Sequence, residues 1–283
     1  MANSGRPVDL GIGSIARRVL VIFVLIEAAL FGLDYLIAHK ELIDNSDLQN
    51  LVDITREDTI GTWVSTTQYL LLAGVAWLIH LRTRDDAGAT MRAAGWGLIA
   101  GFFTYLSFDD GSRFHERMGS LFGDYAPDVS TPFIATAARE LLDFFPSYNW
   151  QVAFFPLFGA MALFLLVFLR RELKENSLYA MVLAGLSCWI FAVLLDFLEG
   201  ASEGMALMTS MFDAGYRTVE HMMRSVEECI ELFGATLMLS AFLAHFTRIA
   251  DGWSIRFVAR VERPAECAVV APEPVQQHLV ADL

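Results

Sequence analysis

The chain has 283 residues, 55% of them hydrophobic, and a mean hydropathy of +0.46. That is more apolar than a water-soluble domain of this size, and the formal net charge of −13 argues against nucleic acid as a partner. Three cysteines, with no CxxC spacing, argue against a disulfide framework or a zinc knuckle.

Six apolar runs follow one another at 19–38, 62–81, 93–108, 151–169, 178–198 and 228–246. A bilayer core takes about 20 apolar residues per helix, and a lone strand would leave its backbone groups unpaired in lipid. The pattern therefore predicts an all-α, polytopic integral membrane bundle of six transmembrane helices. The first run follows Arg17 and Arg18, as a signal peptide would. Its length, its Glu27 and Asp34, and the lack of a small-x-small cleavage site point instead to an uncleaved signal-anchor.

Residues 39–61 read as a solvated acidic loop carrying Glu41, Asp44, Asp47, Asp53, Glu57 and Asp58. The third run is short, so its helix should continue past Asp109 as far as Leu121, before Gly123, Pro127 and Pro132 break it. Residues 131–145 open on Thr-Pro and place Phe133, Ile134, Ala137, Leu141 and Phe144 on one face, as an interfacial helix would. Residues 199–227 are expected to be partly helical and to cap the same end. After the sixth run, 251–262 reads as a short helix on the opposite leaflet, and the residues from Pro264 on as a disordered tail. The expected division is a tail at 1–17, the six-helix domain at 18–249 with caps at 109–149 and 199–227, and the C-terminal segment 250–283.

Lysine and arginine set the orientation. With the N-terminus in the cytoplasm, thirteen of the 20 basic residues fall inside and seven outside, so both termini are expected to be cytoplasmic. Of the 33 acidic residues, ten then fall inside, nineteen outside and four within spans.

The acidic excess is not spread evenly. Asp109, Ser112, Arg113 and Glu116 share a helical face at the outer end of the third run, with His115 beside it and Asp110 turned away. Asp196, Glu199 and Glu203 form a stripe ending the fifth run. Glu220, Arg224, Glu227 and Glu231 form a third stripe entering the sixth, with His221 and Glu228 at its edge. Asp34 from the first helix is a candidate to join them, and Ser65, Thr66 and Gln68 from the second lie at the same depth. Ionisable groups within a membrane usually face the bundle interior, and carboxylates this close need a compensating cation, shared protons or arginine.

Three readings stay open. A divalent metal (Fe, Mn or Zn) would take Asp109, His115, Glu116, Glu199, His221, Glu227, Glu228 and Glu231 as candidate ligands, since carboxylates and histidines from several helices build dimetal sites in bundles. Neither histidine has the Glu-x-x-His spacing of those sites. Such a protein would be a membrane-bound metalloenzyme acting on a lipid-soluble small molecule. A proton- or cation-coupled transporter would use the same carboxylates and continue inward through Glu27 and Gln68. In the third reading, arginines simply tie the stripes together through pairs such as Asp109–Arg113, Glu220–Arg224 and Arg224–Glu228. Glu27 is equally a candidate for a hydrogen bond to Gln68 or Ser65, and His80 and His245 read as interfacial.

The segments Ser-Phe-Asp-Asp-Gly-Ser-Arg-Phe-His-Glu at 107–116 and Glu-Glu-Cys-Ile-Glu-Leu-Phe-Gly at 227–234 resemble those of a set of uncharacterised bacterial multi-pass membrane proteins. These carry Ser-Leu-Asp-Glu…His-Glu and Glu-Glu-x-Leu-Glu-Met-Leu-Gly, so Asp110 stands in place of Glu. The resemblance implies a bacterial cytoplasmic membrane and one common site for Asp109, His115, Glu116, Glu227, Glu228 and Glu231. It implies no activity.

Overall fold

A computed structural model describes residues 13–125 and 131–250, all of which belong to one compact unit. The helices are α1 (Gly13–Leu33), α2 (Ser46–Val52), α3 (Ile60–Arg84), α4 (Thr90–Ser112), α5 (Phe114–Tyr125), α6 (Pro132–Phe144), α7 (Asn149–Glu172), α8 (Asn176–Gly200), α9 (Ser202–Phe212) and α10 (Tyr216–Ile249). Among the described residues there is no strand. Residues 1–12 of the expected tail at 1–17, the expected helix at 251–262 and the segment beyond it lie outside the described residues, while 13–17 already belong to α1.

Five helical segments are long and apolar enough to cross a membrane: Ile15–His39, Ile60–Arg84, Asn149–Glu172, Asn176–Gly200 and Tyr216–Ile249. The shortest has 24 residues; at about 1.5 Å per residue it exceeds a hydrocarbon core of roughly 30 Å. The third expected span falls on α4. That helix is one residue shorter than the shortest of these, with 23 residues, and Arg92, Asp109, Asp110 and several glycines keep it out of the five. Large apolar side chains such as Leu25 on α1, Leu163 on α7 and Ile190 on α8 point away from the bundle, as lipid-facing residues do.

Helix α10 is the axis of the fold. It packs against α1, α3 and α8, while α3 lies along α4 and α5 along α7. The largest buried side chains, Trp96, Phe103, Phe242 and Leu72 among them, join α3, α4 and α10 in one core with Leu165 and Leu169 of α7. The approach of α8 to α10 depends on glycine. A Cβ at Gly185 would lie 2.9 Å from the Gly234 carbonyl oxygen, and one at Gly234 would lie 3.0 Å from that of Gly185. Close backbone approach of this kind replaces the hydrophobic effect as the adhesive between helices in lipid.

Several elements differ from the sequence expectation. The third helix does not run unbroken to Leu121. It ends at Ser112, Arg113 adopts a left-handed conformation (φ 53°), and α5 sets off in a new direction. The last span begins at Tyr216, twelve residues before the apolar run, because the intervening turns pack Val219 and Met223 against Leu195 and Met205. His245 is buried rather than interfacial, stacked on Trp96. The helices expected within 131–145 and 199–227 are present as α6 and α9.

Candidate functional site

The first helix ends in a π-helical turn, Asp34–His39, closed by the Lys40 N–H donating to the Tyr35 carbonyl at 3.0 Å. Turns of this kind recur at functional sites because the extra residue re-aims side chains. Here the turn directs Asp34 into the bundle, where it is 1% exposed, and brings His39 against His221 with ring centroids 5.0 Å apart. Asp34 Oδ1 accepts from the Ile54 N–H at 3.2 Å, and Oδ2 accepts from Ser225 Oγ at 2.8 Å. His221 Nε2 lies 3.2 Å from the same Oδ2. Asp53 completes the group: one ligand atom from each of Asp34, Asp53 and His221 all lie within 4.8 Å of one another. Asp53 is held by Thr55, whose N–H and hydroxyl donate to its Oδ1 at 3.0 and 2.6 Å.

A second group is built at the elbow between α4 and α5. The left-handed Arg113 turns the chain so that Asp109, still on α4, caps the new helix. Asp109 Oδ1 accepts from the His115 N–H at 2.8 Å, and His115 Nδ1 donates to Oδ2 at 2.7 Å. Tyr105 donates to Asp109 Oδ1 at 3.2 Å. Burial opposes a charge on His115, but the hydrogen bond and negative charge of Asp109, with Glu116 and Glu231 nearby, outweigh it and raise the imidazole above its ordinary value of 6.5. Arg113 pairs outward with Glu57 and Glu116.

Between these groups lies an acidic lobe. Asp110 accepts from Ser65 Oγ at 2.7 Å and Thr66 Oγ1 at 2.6 Å. Asp196 accepts from Trp150 Nε1 at 3.0 Å and Gln151 Nε2 at 2.8 Å. Glu231 accepts from Tyr69 at 2.7 Å, and its own carbonyl accepts from Trp189 Nε1 at 3.1 Å. Glu227 lies within electrostatic reach of Asp196, Glu199, Glu228 and Glu231, and Glu228 within reach of Asp110, Glu116, Asp196 and Glu231. Among the described residues, the arginine pairs at this end go to the rim. Arg224 binds Glu199 at 2.5 Å and Glu220 at 3.6 Å, and Tyr148 donates to Glu199 at 2.8 Å. The ion pairs of Arg113 and Arg224 do not include Asp110, Asp196, Glu227, Glu228 or Glu231.

Of the eight candidate ligands, Asp109 and His115 bind each other, Glu116 and Glu199 are taken by arginine, and Glu227, Glu228 and Glu231 lie within electrostatic reach of one another on α10. His221 stands apart, on Asp34. Asp110, set aside in the sequence as facing elsewhere, lies in the lobe, because α4 delivers it towards α3. Asp53 was assigned to a solvated loop; no local periodicity marks a loop residue that meets a helix 168 positions later. Tyr69 and Gln151 carried no signal in the sequence beyond polar atoms within apolar runs, and Trp150 none beyond its place just before one.

A family model described as a domain of unknown function (DUF8692) matches residues 19–246, and the chain belongs to this family. No curated protein and no solved structure matches the chain.

Proposed function

We propose that this member of the family is a multi-pass membrane protein that binds a divalent metal ion at Asp34, Asp53 and His221. The reading places six helices across the membrane, both termini in the cytoplasm and the site at the outer boundary, in a bacterial cytoplasmic membrane. It is supported chiefly by the convergence of three ligand atoms within 4.8 Å. Two ligands on one ion, each at about 2.0–2.2 Å, are separated by roughly 3.0–3.5 Å. The 3.2 Å between His221 Nε2 and Asp34 Oδ2 suits that role as well as it suits a hydrogen bond. Two carboxylates and one imidazole are a donor set for Fe(II), Mn(II) or Zn(II). Ser225 and the Ile54 N–H would hold Asp34 in place as outer partners of the ion.

The acidic lobe then serves as a reservoir. Carboxylates without arginine partners draw cations towards the site, while arginines at the rim fix the surrounding helices. Elemental analysis of the purified chain, after dialysis against Mn(II), Fe(II) or Zn(II), tests the reading. The expected result is about one ion per chain in the wild type, lost in Asp53→Asn and in His221→Ala. Equal metal content in all three proteins, or none in the wild type, would overturn it.

A further inference from the structure

Away from both outer groups, one carboxylate lies inside the first apolar helix. Glu27 is 5% exposed and has no arginine, lysine or histidine partner among the described residues. Its Oε1 accepts from Gln68 Nε2 at 2.9 Å and from Thr236 Oγ1 at 2.6 Å, and Gln68 Nε2 also reaches Thr236 Oγ1 at 2.8 Å. The other titratable groups within electrostatic reach of Glu27 are thiols, Cys188 on α8 and Cys229 on α10.

Two donors on one oxygen suit an ionised carboxylate. Yet an unpaired charge in an apolar bundle is costly, and a proton removes that cost. Beside this pair the structure leaves two acceptors unused. Gln68 Oε1 has no hydrogen-bond partner among the described residues, nor has Ser240 Oγ one helical turn beyond Thr236. Gln68 is 0% and Ser240 2% exposed, so bulk water does not serve them. Buried polar atoms are nearly always paired, and a static network would have no reason to leave two idle.

We propose that Glu27 exchanges a proton inside the membrane, with Gln68 as its switch. When Glu27 is ionised, the Gln68 amide and the Thr236 hydroxyl donate to it. When Glu27 takes a proton from water, the new O–H needs an acceptor. Half a turn of the Gln68 amide presents Oε1 to it, and on release the proton returns to water and the amide turns back. No electron moves, and the O–H bond of Glu27 is the one bond made and broken. The exchange at Glu27 needs no metal at Asp34, Asp53 and His221.

Infrared difference spectra of the purified full chain, between about pH 5 and about pH 9, test it in wild type and Glu27→Gln. The wild type should show a protonated carboxyl band that vanishes at the higher pH and shifts in D2O, in excess over the variant. Superimposable difference spectra would refute the exchange. Should Glu27→Gln fail to fold, the wild type is treated with a hydrophobic carbodiimide, which adds to protonated carboxyls, and the Glu27 peptide is read by mass spectrometry. Modification about tenfold greater at pH 6 than at pH 9 is expected. Modification that is absent, or equal at both, would overturn the proposal.

Discussion

A single residue, Arg113, decides how the C-terminal end of α4 is used. A straight helix would carry Asp109, Arg113 and Glu116 on one face, with Asp109 and Arg113 paired. The left-handed backbone at Arg113 breaks that alignment, at a cost of roughly 1–2 kcal/mol for a residue with a Cβ. It gains the Asp109 cap on α5 and sends the guanidinium outward to Glu57 and Glu116. The motif therefore announced Asp109 and His115 as partners of some kind, but not the bend that joins them, since nothing in the local sequence forces a non-glycine into that conformation. The bend has a titratable consequence. The His115 value is raised in the folded chain, so its contribution to stability is complete below the unfolded value of about 6.5 and is lost as pH rises through the folded value. The melting temperature of wild type relative to His115→Gln should thus be higher at pH 6 and converge above the folded value. A difference that stays constant with pH would show that His115 acts only by packing.

At the scale of elements, hydropathy read the helices well where lipid contact dominates and poorly where protein contact does. The spans at α1, α7 and α8 emerge from composition because most of their surface lies outside the bundle and must be apolar. The first turns of α10 do not, because Glu220, Arg224 and Glu227 occupy them and their burial depends on α8 and α9. The acidic stripes were legible as helical spacing, whereas the division of labour among them was not. Which carboxylates receive arginine depends on where other helices stop. The glycine contact between α8 and α10 sets the position of Glu231 and offers a direct test. Gly185→Ala places a methyl 2.9 Å from the Gly234 carbonyl and from Met238 Cγ, with backbone on one side that cannot rotate away. A loss of about 1–3 kcal/mol is expected for such overpacking, read as a lower melting temperature in detergent. Gly74→Ala, which meets nothing within 4 Å, serves as the control and should be neutral or slightly stabilising. Equal behaviour of the two variants would show that the helices are free to move apart.

At the scale of the whole molecule, charge is sorted by end. The ends of α3, α7 and α10 that carry Arg82, Arg84, Arg170, Arg171 and Arg248 lie opposite the acidic groups, and Arg92 binds Glu172 there at 2.8 and 2.9 Å. Juxtamembrane arginine is retained on the cytoplasmic side, so the ends rich in it should face the cytoplasm and the carboxylates should face out. The prediction is tested with single cysteines at Asn45, in the loop before α2, at Glu203 on α9 and at Asp86, between α3 and α4, in a background with Cys188, Cys229 and Cys267 replaced by alanine. In intact cells a membrane-impermeant thiol reagent should label the first two positions and spare Asp86→Cys until the membrane is opened. The three positions also separate the possible errors. Labelling of Asp86→Cys alone would invert the molecule and place the metal and acidic groups in the cytoplasm. Labelling of Asn45→Cys without Glu203→Cys would mean that the number of crossings between them is odd. Because α4 is the long helix outside the five that are apolar enough to cross, that outcome would identify it as a helix that packs in the bundle without crossing the membrane.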